Sequence, residues 1–343
     1  MLMKKQLGQI LRTGALLLPG VFLGQVISVN GSIMPEDMGL TLIHEHVMVD
    51  WVGADSTGYH RWNREEVVAR ALPYFEELKE YGVRTFLDCT PAYLGRDPWV
   101  LKKFSELTGI QVLTNTGYYG SGNNKFVPKS AGNDTPEEIA AVWIGEFREG
   151  IDGSGVRPGF LKMSVEDRDT LSAMHEKLVR AAALTHLETG LTLVSHTGSD
   201  GPALAQLAVL NEMGVAPAAF VWTHAQNGTL DGYLRAARLG AWISLDHINA
   251  GPADKPEDPG NIPWYVETLA RLKAEGLLGH VLLSHDAGWY NVGEPNGGNY
   301  RGYTDLFTDL IPQLRANGFT QSDLDLLLVE NPRRAYAIQV RRN

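Results

Sequence analysis

Gly39-Leu40-Thr41-Leu42-Ile43-His44-Glu45-His46 ends a short apolar run with two histidines one residue apart. In an extended strand, residues i and i+2 project from the same face. The stretch therefore predicts a strand that aims His44 and His46 at one point, where the strand runs out. Neutral imidazole is a common ligand of zinc and its neighbours, and two converging rings are half of a four-ligand set. The competing reading is a pair of surface histidines. What the rest of the chain places beside them decides between the two.

Outward from this stretch, strands and helices alternate. Residues 26–32 read as an opening strand. Residues 64–81 carry Val67, Val68, Ala71, Leu72, Phe75 and Leu78 at helical spacing, with Gly82 as the stop. Pro73 inside that run predicts a kink or a break. Strands follow at 83–88, 110–116 and 160–163. Four more end on chemically able residues: 191–195 before His196, 219–223 before His224, 241–245 before Asp246-His247, and 281–284 before His285-Asp286. Helices fill the intervals at 100–108, from the Asp134-Thr135-Pro136 start to 149, and at 170–189, 204–213, 230–239 and 264–275. Two more, 304–317 and 322–330, finish the chain. Eight strand–helix units predict a parallel sheet with right-handed crossovers, closed as a TIM (β/α)8 barrel. An open dinucleotide-binding sheet would place G-x-G-x-x-G after its first strand, where this chain has His44-Glu45-His46.

Composition narrows the class. The 343 residues are 44% hydrophobic and 20% charged, as expected of a globular protein with a large core. Residues 26–343 are expected to form one barrel domain. A net charge of −10 excludes the basic stripe of a nucleic-acid surface. Cys89 is the only cysteine, so no disulfide framework forms within the chain. Lys4 and Lys5 precede an apolar segment at 14–24, the pattern of an export signal and too short for a membrane span. Residues 1–25 are therefore expected to be a signal or an N-terminal extension. The first implies a periplasmic or secreted protein, the second a cytoplasmic one.

Six residues stand at the carboxyl ends of five strands: His44, His46, Lys162, His196, His224 and Asp286. In a TIM barrel that end carries the active site. Four histidines and an aspartate suit a borderline divalent metal, zinc first, with manganese, iron or cobalt as alternatives. Five ligands exceed a single tetrahedral site that keeps an open position. Two ions about 3.5–4 Å apart would share them better. Lys162 is the odd member. An ammonium beside two cations is repelled, so it must be deprotonated, turned away or modified.

The ordered pieces Gly-Leu-Thr-Leu-Ile-His44-Glu-His46, Gly-Phe-Leu-Lys162-Met, Thr-Leu-Val-Ser-His196-Thr, Val-Trp-Thr-His224, Ile-Ser-Leu-Asp-His247 and Leu-Leu-Ser-His-Asp286 resemble the phosphotriesterase family of the amidohydrolase superfamily. The resemblance spans about residues 26 to 335. It implies a binuclear centre in which His44, His46 and Asp286 hold a buried ion and His196 and His224 a more exposed one. Lys162, carboxylated by carbon dioxide, would bridge both together with a hydroxide. It further implies a hydrolase in which that hydroxide attacks, Asp286 takes the proton, and His247 passes it outward. The plainer reading of His247 is a histidine packed beside Asp246. Relatives often carry an aspartate three residues after the histidine matching His224. Here that residue is Asn227, so a relay beyond His247 lacks its carboxylate.

Members of this family open lactones, cleave phosphotriesters or cleave N-acyl amides. Tyr119 falls where lactone-opening relatives place a tyrosine over the exposed ion, although barrel-rim packing would also explain Tyr118-Tyr119. Trp289, Tyr290, Tyr300 and Tyr303 crowd the loop after Asp286, and loops of this length serve as lids or binding walls. These aromatics suit an apolar part of a small-molecule substrate or a contact in a homodimer. Arg301 suits an acidic group on the substrate or a surface acid. The expected activity is metal-dependent hydrolysis of a lactone or carboxylic ester. The alternatives are an N-acyl amide hydrolase, with phosphotriester cleavage as a side activity, and a catalytically inactive ligand-binding barrel. The intact ligand set argues against the last.

Overall fold

The computed structural model describes residues 24–251 and 261–343. The expected export signal falls almost wholly on residues 1–23, outside the described residues, as do residues 252–260. No helix among the described residues is long and apolar enough to cross a membrane.

Eight parallel strands form a TIM barrel. In order they are Thr41–Val49, Thr85–Asp88, Gln111–Leu113 with its continuation Asn115–Thr116, Phe160–Ser164, Leu193–His196, Phe220–Thr223, Trp242–Leu245 and Val281–Leu283. Each pairs in parallel with its neighbours in sequence. The third strand, expected to be continuous over 110–116, is split. Gln111–Leu113 pairs back with the second strand, and Asn115–Thr116 pairs forward with the fourth. The barrel closes where Asp286 N–H donates to His44 O at 3.0 Å and His46 N–H donates to Ala287 O at 2.9 Å. Gly288–Asn291 then runs parallel beside the end of the first strand.

Every barrel strand gives one residue to a single buried cluster: Ile43, Leu87, Leu113, Phe160, Val194, Val221, Trp242 and Leu282. A larger apolar cluster joins the strands to the surrounding helices. Several helices start on side chains that satisfy their free N–H groups. Asn63 accepts from Glu65 and Glu66 N–H, and Asp97 from Trp99 and Val100 N–H. Thr135 and Glu138 form a reciprocal capping box around Pro136.

Several local expectations need correction. Residues 26–32 are not one strand: Val26–Ser28 and Gly31–Ile33 form an antiparallel hairpin. Pro73 does not break its helix, which runs from Arg64 to Glu80. The helical chain near the C-terminus does not stop at 330 but continues through Asn331–Tyr336. His44 and His46 do not end their strand. It continues to Val49 because Gly288–Asn291 supplies pairing partners as far as that residue.

Candidate metal centre

Alternation along the strands carries the barrel interior from an apolar layer to a polar one. Two residues beyond Phe160 and Val194 stand Lys162 and His196. On the first strand a register shift between Leu42 and Glu45 accompanies the change from Ile43, in the apolar cluster, to His44 and His46 in the polar one. The Nε2 atoms of His44 and His46 lie 3.3 Å apart, and Lys162 Nζ lies 3.4 Å from His44 Nε2. Asp286 Oδ1 is 3.0 Å from His46 Nε2 and 3.7 Å from His44 Nε2, and its Oδ2 is 3.9 Å from His224 Nε2. The His224 ring sits 4.3 Å from that of His196. The structure thus brings His44, His46, Lys162, His196, His224 and Asp286 into one cluster. His196 and Asp286 are partly exposed and the other four are buried.

Hydrogen bonds fix which ring nitrogens face inward. Asp246 accepts from His44 Nδ1–H on Oδ2 and from His224 Nδ1–H on Oδ1, both at 2.9 Å. Thr90 Oγ1 donates its own proton to Met48 O and accepts from His46 Nδ1–H at 2.8 Å. Each of these rings therefore keeps its proton on Nδ1 and turns a lone pair on Nε2 toward the others. Asp286 Oδ1 is buried among them without a hydrogen-bond partner. Converging lone pairs beside an unpaired carboxylate oxygen repel one another unless a cation lies between them, so this donor set fits a divalent metal centre.

The protonation states of His44 and His196 agree with neutral rings. Burial, reinforced by Lys162, pulls His44 down to about 4, so the ring is neutral at pH 7. Burial and the neighbouring His224 hold His196 well below the ordinary histidine value. Burial would raise Asp286 and Asp246, but the surrounding histidines outweigh it and hold both carboxyls below their usual range. Burial likewise opposes charge on His224, and the Asp246 carboxylate overcomes it and raises that ring. Asp246 also groups geometrically with His44 and His224 as a ligand set. Its oxygens are already occupied, however, by two Nδ1–H groups, the His224 N–H and, at 2.6 Å, Ser244 Oγ–H. It orients ligands and has little left to offer an ion.

Backbone geometry at the centre is unusual. Gly117 and Gly288 have φ of +124° and +102°, and a Cβ there would fall 2.0 Å from Lys162 O and 1.7 Å from His46 O. Only glycine lets the loops after the third and eighth strands lie directly on these two strands. His224, Asp286 and Trp289 adopt φ of 60°, 52° and 74°, which for non-glycine residues costs about 1–3 kcal/mol each. Trp289 stacks on the His46 ring at 3.8 Å and donates its Nε1–H to Asp286 O at 3.0 Å, with Trp51 stacked on it at 5.6 Å.

The remaining sequence candidates separate. Tyr119 Oη lies 3.2 Å from the nitrogens of the His196 ring, and burial together with Asp286 raises its phenol, which stays protonated. His247 is exposed beyond the seventh strand, its backbone N–H held by Tyr265 Oη at 2.8 Å. Asn227 is the exposed residue of the otherwise buried turn after His224. Arg301 is committed to the backbone: its Nη2 donates to Ile248 O and His285 O, tying together the loops after the seventh and eighth strands. Of the four loop aromatics, Trp289 stacks on a ring of the ligand cluster. Tyr290, Tyr300 and Tyr303 are buried, and Tyr303 Oη donates to His46 O at 2.9 Å. The sequence reading passed over Asp246, Thr90 and Glu45. The usable signal was Asp246 itself, two residues after Ser244 and therefore on the same strand face.

The sequence profile described as the Phosphotriesterase family matches residues 24–336. The chain is 32% identical over 295 residues to the phosphotriesterase homology protein of Escherichia coli, covering 86% of this chain and 96% of that one. It is 29% identical over 318 residues to the aryldialkylphosphatase of Saccharolobus solfataricus, covering 89% and 97%. It is 24% identical over 351 residues to human N-acetyltaurine hydrolase, covering 90% and 97%. Among solved structures, a mutant of a PTE-like lactonase from Deinococcus radiodurans superposes with a TM-score of 0.80 at 26% identity, covering 91% of this chain and 99% of that one.

Proposed function

The chain belongs to the phosphotriesterase family of metal-dependent hydrolases, and on that premise we propose that it opens a lactone or cleaves a carboxylic ester. The residues proposed to hold two divalent ions, zinc first, are His44, His46, Lys162, His196, His224 and Asp286. The observation that carries the reading is the convergence of three Nε2 lone pairs on the Asp286 carboxylate, whose Oδ1 is buried without a hydrogen-bond partner. Bound there, divalent cations supply Lewis-acid polarisation of a substrate oxygen and a lowered pKa for water.

The chain's own groups supply the rest. Lys162 Nζ in its neutral form adds carbon dioxide and releases a proton, which replaces an ammonium by an anionic carbamate. Asp286, held as a carboxylate, accepts the proton released on attack at the carbonyl carbon. His247, exposed at the end of the preceding strand, carries that proton to solvent, with Asn227 unable to extend the relay as a carboxylate would. Tyr119 Oη–H, kept protonated, donates to an oxygen of the substrate. Trp289 covers His46 and presents an apolar wall. Arg301 shapes that wall from behind through its backbone contacts.

The lactone or ester reading draws support from Tyr119 against His196 and from the likeness to a PTE-like lactonase. The likeness to N-acetyltaurine hydrolase supports the N-acyl amide as second reading, and that to aryldialkylphosphatase supports phosphotriester cleavage as a side activity. Residues 26–343 are proposed to act as one barrel domain. A panel of γ- and δ-lactones, aryl esters, N-acyl amino acids and sulfonates, and a phosphotriester, run on metal-loaded protein, tests the assignment. The highest kcat/KM is expected on a lactone or ester. A higher value on an N-acyl amide would overturn it in favour of the second reading.

A further inference from the structure

Glu45 stands between two proposed ligands, yet its carboxylate faces away from them and is fully buried. Every hydrogen bond that the carboxylate accepts comes from the segment that carries Asp286. Oε1 accepts from Ser284 Oγ at 2.7 Å, from His285 N–H at 3.0 Å and from His285 Nδ1–H at 2.7 Å. Oε2 accepts from Ala287 N–H at 2.9 Å. All four partners are donors, so the group acts as a carboxylate. Asp286 is thus flanked on both sides by backbone held to one buried anion, in a left-handed conformation it would not adopt unaided.

The second half of the device is His285. With its proton on Nδ1 toward Glu45, its Nε2 accepts from Leu306 N–H at 3.0 Å. The loop bearing Trp289 and Arg301 begins at Ala287, bound by Glu45, and ends at Leu306, bound by His285. One buried acid–imidazole pair therefore pins both ends of this loop to the first barrel strand.

We infer that Glu45 is a positioning residue: acting through Ser284, His285 and Ala287, it holds Asp286 in its strained conformation and, with His285, fixes the two ends of the 287–305 loop. The inference rests on the proposed role of Asp286 for its effect on turnover, but not for its effect on the loop.

Glu45→Gln is the discriminating variant. The amide oxygen can keep the three bonds of Oε1, while the NH2 group faces Ala287 N–H, donor against donor. In a variant that melts cooperatively, amide hydrogen exchange of metal-stripped protein is expected to quicken at least tenfold across 286–305 and to stay unchanged in the helix Ala173–Thr189. In metal-loaded protein kcat is expected to fall at least tenfold with KM within about twofold, the split that a displaced proton acceptor gives. Exchange and kcat both at wild-type values would overturn the inference. Faster exchange with unchanged kcat would keep the loop clamp and remove the claim on Asp286. A metal-loaded Asp286→Asn variant with full activity would instead sink the reading of Asp286 and leave the exchange result standing. Should Glu45→Gln not fold, His285→Asn keeps a donor for Glu45 and removes the acceptor of Leu306 N–H. Exchange near Leu306 is then expected to rise, and unchanged exchange would overturn the clamp.

Discussion

Asp246→Asn probes the centre without touching a proposed ligand. The carboxylate takes one Nδ1–H on each oxygen, His44 on Oδ2 and His224 on Oδ1, and under the proposed binuclear reading these rings would serve different ions. Asparagine offers one oxygen and one NH2 group. One ring keeps its bond, and the other must turn its Nδ1 lone pair to the amide. Its proton then moves to Nε2, the atom that faced the cluster, and that ring can no longer ligate. Loss of a ligand-orienting partner typically costs 10–100-fold in metal affinity. A forced tautomer belongs at the upper end, so about 100-fold, or about 2.8 kcal/mol, is expected for one ion. The other ion is expected to weaken by about tenfold or less. Metal-stripped protein titrated with zinc against a chromophoric chelator reads both steps. Two steps at wild-type affinity in a cooperatively folded variant would refute the claim that Asp246 sets the tautomers.

Asp286→Asn is expected to keep the fold and lower kcat by about 10²–10⁴-fold, the range for loss of a general base; a wild-type rate in steady-state assays would remove that role. Lys162→Ala is expected to lose bound metal by elemental analysis and to recover part of it, with activity, when a short carboxylate such as propionate is added. Full occupancy in this variant without added carboxylate would show that Lys162 is not a bridge. Tyr119→Phe is expected to lower lactone turnover more than open-chain ester turnover, and equal effects would return Tyr119 to a packing role. His186, away from the centre, donates Nδ1–H to Leu191 O and accepts Arg341 N–H on Nε2, and burial first, with Arg341 nearby, lowers it from 6.5. The unfolded chain takes the proton first as pH drops through that value, so stability falls below about pH 6.5. Urea midpoints of metal-stripped protein should show a shallower acid fall in His186→Gln than in wild type, and identical slopes would exclude a contribution from His186.

The barrel was legible because its signals are local. Apolar runs, glycine stops and the Asp134-Thr135-Pro136 helix start depend on a few neighbours. The spacing of His44 and His46 likewise implied that the rings share a face. Their depth inside the strand was not legible, since it depends on Gly288–Asn291 arriving from more than 240 residues away to pair as far as Val49. The helix runs through Pro73, where propensity alone would break it, because Val67, Ala71, Phe75 and Leu78 bury one continuous face across it. Asp246 and Glu45 were overlooked because buried acids look like surface acids until their donors are known. Tyr300 and Tyr303 looked like a substrate wall for the matching reason: nothing local records that the loop folds them inward.

The stack of Trp51 and Trp289 on His46 has an optical consequence. Indole emission responds to charge placed within a few ångströms, and the Trp289 ring lies 3.8 Å from the ring of a proposed ligand. Loading a cation at His46 should change the emission of Trp289. Trp51, half in water at 46% exposure, offers a quencher access to the outer ring of the pair. The protein thus carries its own fluorescent indicator of occupancy, readable without a dye and silenced selectively by Trp289→Phe.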